Sequence, residues 1–187
     1  MIPASLSVDD IEALLVAAAD RPVEVGDGSG RTLPFTHLEH ALQTAAVLRW
    51  TRPGDTALAV AGLVHDIAHL LPGVDDAGHA AAGAAAVRGV LGERVAGVVG
   101  LHVEAKRYLS GGDGGYAGSL SDDSVASMRR QGGAMRDDER AAFDALPWAV
   151  DALVLRRADD AGKVAGLAVD GLDAWRRALR EVARLGA

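Results

Sequence analysis

Apolar side chains recur every three or four residues through most of the chain, the period of helices buried on one face. Ile11, Leu14, Leu15 and Ala18 make the first such stripe, and Ser7 with Asp10 forms a capping-box variant at its start. This helix is expected to end near Arg21-Pro22. Gly26 to Gly30 is a turn-rich loop, after which Pro34 opens a helix that carries His40 to about Trp50, ahead of Arg52-Pro53-Gly54. A third helix, from about Asp55 to Leu71, carries His65, Asp66 and His69 and is stopped by Pro72-Gly73. From His79 to Leu91 the pattern is helical again; Gly92 separates it from a helix with His102 and Lys106 on one face. Gly111 to Gly118 reads as a flexible loop. Shorter helices follow over about Ser121 to Arg130 and Asp137 to Ala145. Pro147 opens a longer one through Arg156 and Asp159, and a docking helix covers about Asp173 to Leu185. No segment reads as a strand, so the expected fold is all-α.

Composition narrows this picture. A chain of 187 residues with 49% hydrophobic content can bury one sizeable core, so we expect a single domain over 1–187 with its chemistry between about 34 and 164. A formal charge of -7 argues against nucleic acid or an anionic membrane as the main partner. An anionic small molecule would need local basic groups. With no cysteine, disulfides, thiolate metal sites and a cysteine nucleophile are all excluded, and metal ligands must be nitrogen or oxygen. The absence of cysteine suits a reducing cytoplasm. No apolar run approaches membrane-spanning length, so a soluble cytoplasmic protein is expected.

The chemistry concentrates at His65-Asp66, with His40 upstream and His79, His102 and Asp159 downstream. Neutral imidazole and ionised carboxylate are good ligands for divalent and trivalent metals, and an adjacent His-Asp pair lets one segment serve two ions. The carboxylate bridges while the imidazole binds one side. A lone histidine on an apolar helix face is usually a satisfied core or surface residue. Here five of them fall on successive predicted helices, and burying such a group without a metal leaves hydrogen-bonding and charge demands hard to meet. Six ligands exceed the need of one ion, which points to a two-metal catalytic site with open positions. His37 has no place in this pattern and reads as a cap or surface residue.

The order His40, His65-Asp66, Asp159 resembles the HD-domain superfamily of metal-dependent phosphohydrolases, and His79 with His102 is similar to its binuclear branch. Longer segments narrow the resemblance: Leu38 to Gln43, Gly62 to Leu70, His102 to Leu109, Leu120 to Asp122, Gln131 to Met135 and Leu155 to Asp159. These look like the phosphonate-degradation branch, whose known enzymes are mixed-valent di-iron oxygenases that use dioxygen to cleave the carbon-phosphorus bond of an α-hydroxyphosphonate. The resemblance implies two iron ions (Fe2+/Fe3+), O2 as co-substrate and a small organophosphonate as substrate. It places His40, His65, Asp66 and Asp159 on one iron and Asp66, His79 and His102 on the other. His69, Lys106, Ser124, Gln131 and Arg156 then hold the substrate, as suits a tetrahedral dianion gripped by charge-assisted hydrogen bonds. Products would be phosphate and a carboxylic acid.

One departure stands out. Branch members acting on amino-substituted substrates carry a tyrosine and a glutamate shortly before the first histidine ligand, and Gly30 and Leu33 fall at those positions here. Glu24 or Asp27 are the nearby carboxylates that a rearranged loop would offer instead. The rival readings are an HD-type phosphohydrolase acting on a phosphate ester with the same ligands, and a non-enzymatic HD module used for binding or regulation.

Overall fold

The computed structural model describes residues 6–25, 29–112 and 114–186, excepting the side chain of Asp123. Asp27, one of the two carboxylates named above, lies outside the described residues, as does most of the turn-rich loop that holds it. Helix α1 (Val8–Ala17) begins at the expected box: Asp10 N–H donates to Ser7 Oγ at 3.1 Å and Ser7 N–H donates to the Asp10 carboxylate at 2.8 Å. A short 3-10 turn, Ala18–Asp20, follows it.

The region after Arg21 corrects the sequence reading. Strands β1 (Pro22–Glu24) and β2 (Thr32–Thr36) pair antiparallel, with Pro22 opposite Thr36 and Glu24 opposite Thr32. Pro34 therefore lies within a strand and opens no helix. A two-stranded ribbon has free edges, where a residue without an N–H is tolerated. Leu33 and Phe35 face inward while Thr32 and Pro34 face out, the period-two alternation of a half-buried strand. Helix α2 (His37–Thr51) starts only at a second capping box: Glu39 N–H donates to Thr36 Oγ1 at 3.2 Å, and Thr36 N–H donates to Glu39 Oε2 at 2.7 Å.

Helix α3 (Thr56–Val64), capped by Asp55, is buried from Leu58 to Val64 on all sides and forms the centre of the molecule. It was expected to run to Leu71. Instead it stops at His65; Asp66 takes φ −102° and ψ 14°, and Ile67–Leu70 form a 3-10 turn. Helix α4 (His79–Gly112) is bent at Gly92, as anticipated, with φ +82°; a Cβ there would stand 2.9 Å from Gly186 Cα. The expected loop over Gly111 to Gly118 is largely helical, since α4 runs to Gly112 and α5 covers Gly114–Ser119. Tyr116 explains this: it is buried, and its hydroxyl donates to Asp160 Oδ2 at 2.7 Å, tying the segment to a neighbouring helix. Helices α6 (Asp122–Arg130), α7 (Asp137–Asp144), α8 (Ala149–Ala161) and α9 (Asp173–Gly186) follow close to expectation.

The architecture is thus mainly helical, with one small sheet among the described residues. Helices α2, α4, α8 and α9 pack around α3 and, with α1, bury Ile11, Leu48, Leu63, Val99, Leu155 and Leu179 in one apolar cluster. Trp175 docks α9 onto this cluster from the outside, with Arg49 stacked 4.7 Å over its ring. Small residues set the spacing: a Cβ on Gly62 of α3 would lie 2.5 Å from Leu48 Cδ1 of α2. No described helix is long and apolar enough to cross a membrane.

Candidate metal centre

The break after α3 gives the His-Asp pair its geometry. Successive residues of an α-helix diverge by about 100° around its axis, so an unbroken helix would aim His65 and Asp66 at different neighbours. Here His65 Nε2 lies 3.4 Å from Asp66 Oδ2, and both face the gap between α2, α4 and α8. His40 comes from the first turns of α2, His79 from the start of α4, His102 from beyond its bend, and Asp159 from α8. These six residues converge. Two triads have donor atoms within 4.8 Å of one another: His40, His65 and Asp159, then Asp66, His79 and His102. Asp66 stands between them, with Oδ2 at 3.4 Å from His65 Nε2 and 3.7 Å from His40 Nε2, and Oδ1 at 3.7 Å from His79 Nε2 and 3.6 Å from His102 Nε2.

A backbone carbonyl decides the tautomer of every one of these imidazoles. His40 Nδ1 donates to the Gly162 carbonyl at 2.9 Å, His65 Nδ1 to Gly62 at 2.8 Å, His79 Nδ1 to Asp76 at 2.7 Å and His102 Nδ1 to Val99 at 2.7 Å. A carbonyl only accepts, so Nδ1 keeps the proton and Nε2 presents a lone pair. The consequence is unfavourable in isolation. Nε2 of His79 faces Nε2 of His102 at 2.9 Å, and His40 faces His65 at 3.3 Å, so lone pairs point at each other inside a buried site. Asp159 Oδ1, with Lys163 Nζ at 2.8 Å on one side, turns toward His40 Nε2 at 3.2 Å, another lone pair. A cation between each set of donors resolves all of this. Imidazole with carboxylate, two histidines to one carboxylate in the second triad, is a donor set suited to non-haem iron with open positions.

Charge reinforces the arrangement. Burial opposes ionisation of Asp66, but His65, His69 and His79 outweigh it and hold the carboxyl well below its usual range. Asp159 is likewise held well below: burial works against it, and Arg156 and Lys163 overcome that. Burial, with His79 beside it, pushes His102 far down, so that its ring is neutral. His65 moves the other way. Burial lowers it, yet Asp66 and Asp159 together raise it.

The centre opens into a cavity of about 480 Å³ whose wall includes His69, Lys106, Ser124, Gln131 and Arg156, all five residues assigned to the substrate from sequence. Lys106 is buried and donates to Ser127 Oγ at 2.8 Å; burial and the nearby Arg156 bring its pKa down to about 8. Arg156 is held by the adjacent acids, pairing with Asp159 Oδ2 at 2.5 Å and with Asp160. Gln131 Oε1 has no partner, and Ser124 Oγ accepts from Ser121 Oγ at 3.1 Å. Sequence reasoning missed several neighbours. Ser127 lies one turn beyond Ser124, Lys163 one turn beyond Asp159 with Nζ 2.8 Å from its Oδ1, and Asp76 one turn before His79. Helical spacing was the signal that could have found Ser127, whereas Asp76 sits in the turn before α4 and Lys163 just past the end of α8, where no helical period points to them. His37 is also on the cavity wall, its pKa lowered to about 4 mainly by burial, so it is neither a cap nor a simple surface group. Leu33, Phe35 and Glu24 reach the wall from the ribbon.

Fold and centre together define a helical protein built around a candidate two-metal His/Asp site. No family model matches the chain. It is 39% identical over 149 residues to the hydroxymethylphosphonate dioxygenase of Gimesia maris, a match spanning 75% of this chain and 74% of that protein. It is 32% identical over 142 residues to the 1-hydroxy-2-(trimethylamino)ethylphosphonate dioxygenase (glycine-betaine-forming) of Leisingera caerulea, across 72% of each. The chain belongs to the phosphonate dioxygenase family.

Proposed function

We propose that the protein is an HD-type di-iron oxygenase that cleaves the carbon-phosphorus bond of a compact α-hydroxyphosphonate, with hydroxymethylphosphonate as the reference substrate. The observation that carries this reading is the pair of facing imidazole lone-pair sets on either side of Asp66, opening into a cavity lined by buried cationic groups. Identity to a named hydroxymethylphosphonate dioxygenase supports the substrate class.

In this reading His40, His65, Asp66 and Asp159 hold one iron, and Asp66, His79 and His102 hold the other. Iron supplies what the side chains lack: binding and reduction of dioxygen, and the redox change that oxidises the substrate carbon. The protein supplies position and field. Lys106 and Arg156 face the phosphonate dianion, and Ser124, Gln131 and His69 add hydrogen bonds around its oxygens. Arg156 keeps its pairing with Asp160, which fixes the guanidinium rather than leaving it to solvent. Val103, Leu33 and Phe35 add apolar surface to the cavity wall, limiting water near the reacting carbon. Carbon balance with hydroxymethylphosphonate requires formate and phosphate as products.

The test is anaerobic loading with Fe2+ followed by elemental analysis and product assay. Close to two irons per chain, with formate and phosphate formed in equal amounts on admitting air, is the expected result. A single tightly held metal, or phosphate without formate, contradicts the reading.

A further inference from the structure

Asp66 Oδ1 is ringed by three imidazole nitrogens. His102 Nε2 lies at 3.6 Å, His79 Nε2 at 3.7 Å and His69 Nε2 at 3.9 Å. The first two are the imidazoles assigned above to the second metal. Donor atoms on neighbouring corners of a coordination sphere with bonds of about 2.1 Å are about 3.0–3.4 Å apart, so along the direction to Asp66 Oδ1 His69 lies only a few tenths of an ångström farther out than its neighbours; it groups with His79 and not with His102, so to bind it must swing inward on its turn. Its ring stacks 4.4 Å from that of His79, closer than the 4.9 Å between His79 and His102. Arg21 donates to the His69 carbonyl at 3.1 Å, and the His37 ring lies tilted beside it at 5.8 Å.

His69 differs from the four anchored imidazoles in two ways. Its side chain is 27% exposed to the cavity, against 5% or less for the others, and it rides on a short 3-10 turn rather than a packed helix. Such a group is able to bind and to leave. Asp76 belongs to a third cluster with His69 and His79, but its carboxylate is paired with Arg130 at 3.0 Å. That leaves His69 as the uncommitted donor.

We propose that His69 is a fourth, displaceable protein ligand of the second metal in the substrate-free protein, yielding its place when a phosphonate enters and then hydrogen-bonding to it. This rests on the two-metal reading above. The probe that separates them is cobalt(II), titrated into substrate-free protein against a chelating dye. Wild type should take up two cobalt ions. His69→Ala and His69→Gln should both weaken one of the two by about tenfold or more and leave the other unchanged, and free imidazole should restore the loss in His69→Ala. Lys106→Ala should keep both affinities, because Lys106 donates to Ser127 and supplies no metal donor. In the mixed-valent iron form, nitrogen hyperfine spectra of wild type should lose one histidine coupling when hydroxymethylphosphonate is added, and the His69 variants should lack that coupling from the start. Two unaltered cobalt affinities in both variants overturn the inference while the two-metal reading stands. Unchanged nitrogen couplings with substrate overturn the displacement, and one cobalt in wild type overturns both readings.

Discussion

A hydrogen bond to one nitrogen of an imidazole fixes its tautomer and aims the other, and in this protein four backbone carbonyls do so. The side chains themselves were legible in the sequence, because His40, His65-Asp66, His79, His102 and Asp159 are residue types with one strong shared use. The anchoring carbonyls were not, since any residue at Gly62, Asp76, Val99 or Gly162 offers one. Ser127, Lys163 and Asp76 were hidden for a related reason: on a helix surface, as for Ser127, or in a turn or helix-end segment, as for Asp76 and Lys163, each reads as ordinary solvated polarity until its neighbours are placed. Asp66 stands between the two triads, with one carboxylate oxygen toward the imidazoles of each, so Asp66→Ala should lower bound iron by more than loss of any other single ligand, measured by elemental analysis. Lys106 supplies a pH signature. Burial brings it from the usual 10.5 to about 8, so it is charged below that pH and neutral above it. Attraction for a phosphonate dianion should therefore fall as pH rises through about 8, seen in kcat/KM, which reports the free enzyme. Lys106→Ala should flatten that limb and weaken phosphonate binding by roughly 1.5–3 kcal/mol with metal content intact.

Among the elements, long amphipathic helices were readable from period alone, and the errors fell where a short local signal competed with a longer one. Pro34 resembles a helix opener, yet Thr36 and Glu39 box the true start three residues later, and the alternation of Leu33 and Phe35 makes the preceding stretch a strand. The apolar run that suggested one helix to Leu71 is broken at Asp66, where a tertiary demand for two converging ligands overrides propensity. The ribbon matters for selectivity. Leu33 on the cavity wall offers an ammonium only apolar surface, so uncharged α-hydroxyphosphonates should be preferred over amino-substituted ones, and Leu33→Glu should narrow that preference. A wild-type preference for the amine of about tenfold or more, about 1.4 kcal/mol in transition-state terms, contradicts this and implicates Glu24, to be checked with Glu24→Gln. At the far end of the site, α8 meets α2 at Gly162. A Cβ there would stand 2.7 Å from Thr44 Oγ1, so Gly162→Ala should push the helices apart, shift the carbonyl that anchors His40, and lower the melting temperature through a loss of about 1–3 kcal/mol.

At the scale of the molecule, a single apolar cluster around α3 holds four ligand-bearing segments in register, while a thin ribbon and α6 line the cavity over the candidate metal site. The helical class was evident because alanine-rich, period-matched segments cover most of the sequence; how their inner faces converge depends on packing between distant segments. The cavity wall carries the cations Lys106, Arg156 and Lys163 as well as the acids Asp66 and Asp159, a local asymmetry of charge invisible in a net charge of -7. That asymmetry suits an anion bound against cations, whether the chemistry is oxidative or hydrolytic, so the decisive quantity is oxygen. The direct measurement is simultaneous oxygen uptake and phosphate release by iron-loaded protein turning over hydroxymethylphosphonate. The account predicts one dioxygen consumed per phosphate released and no release under strict anaerobiosis. Equal rates with and without oxygen, or phosphate-ester hydrolysis supported by magnesium alone, would contradict it.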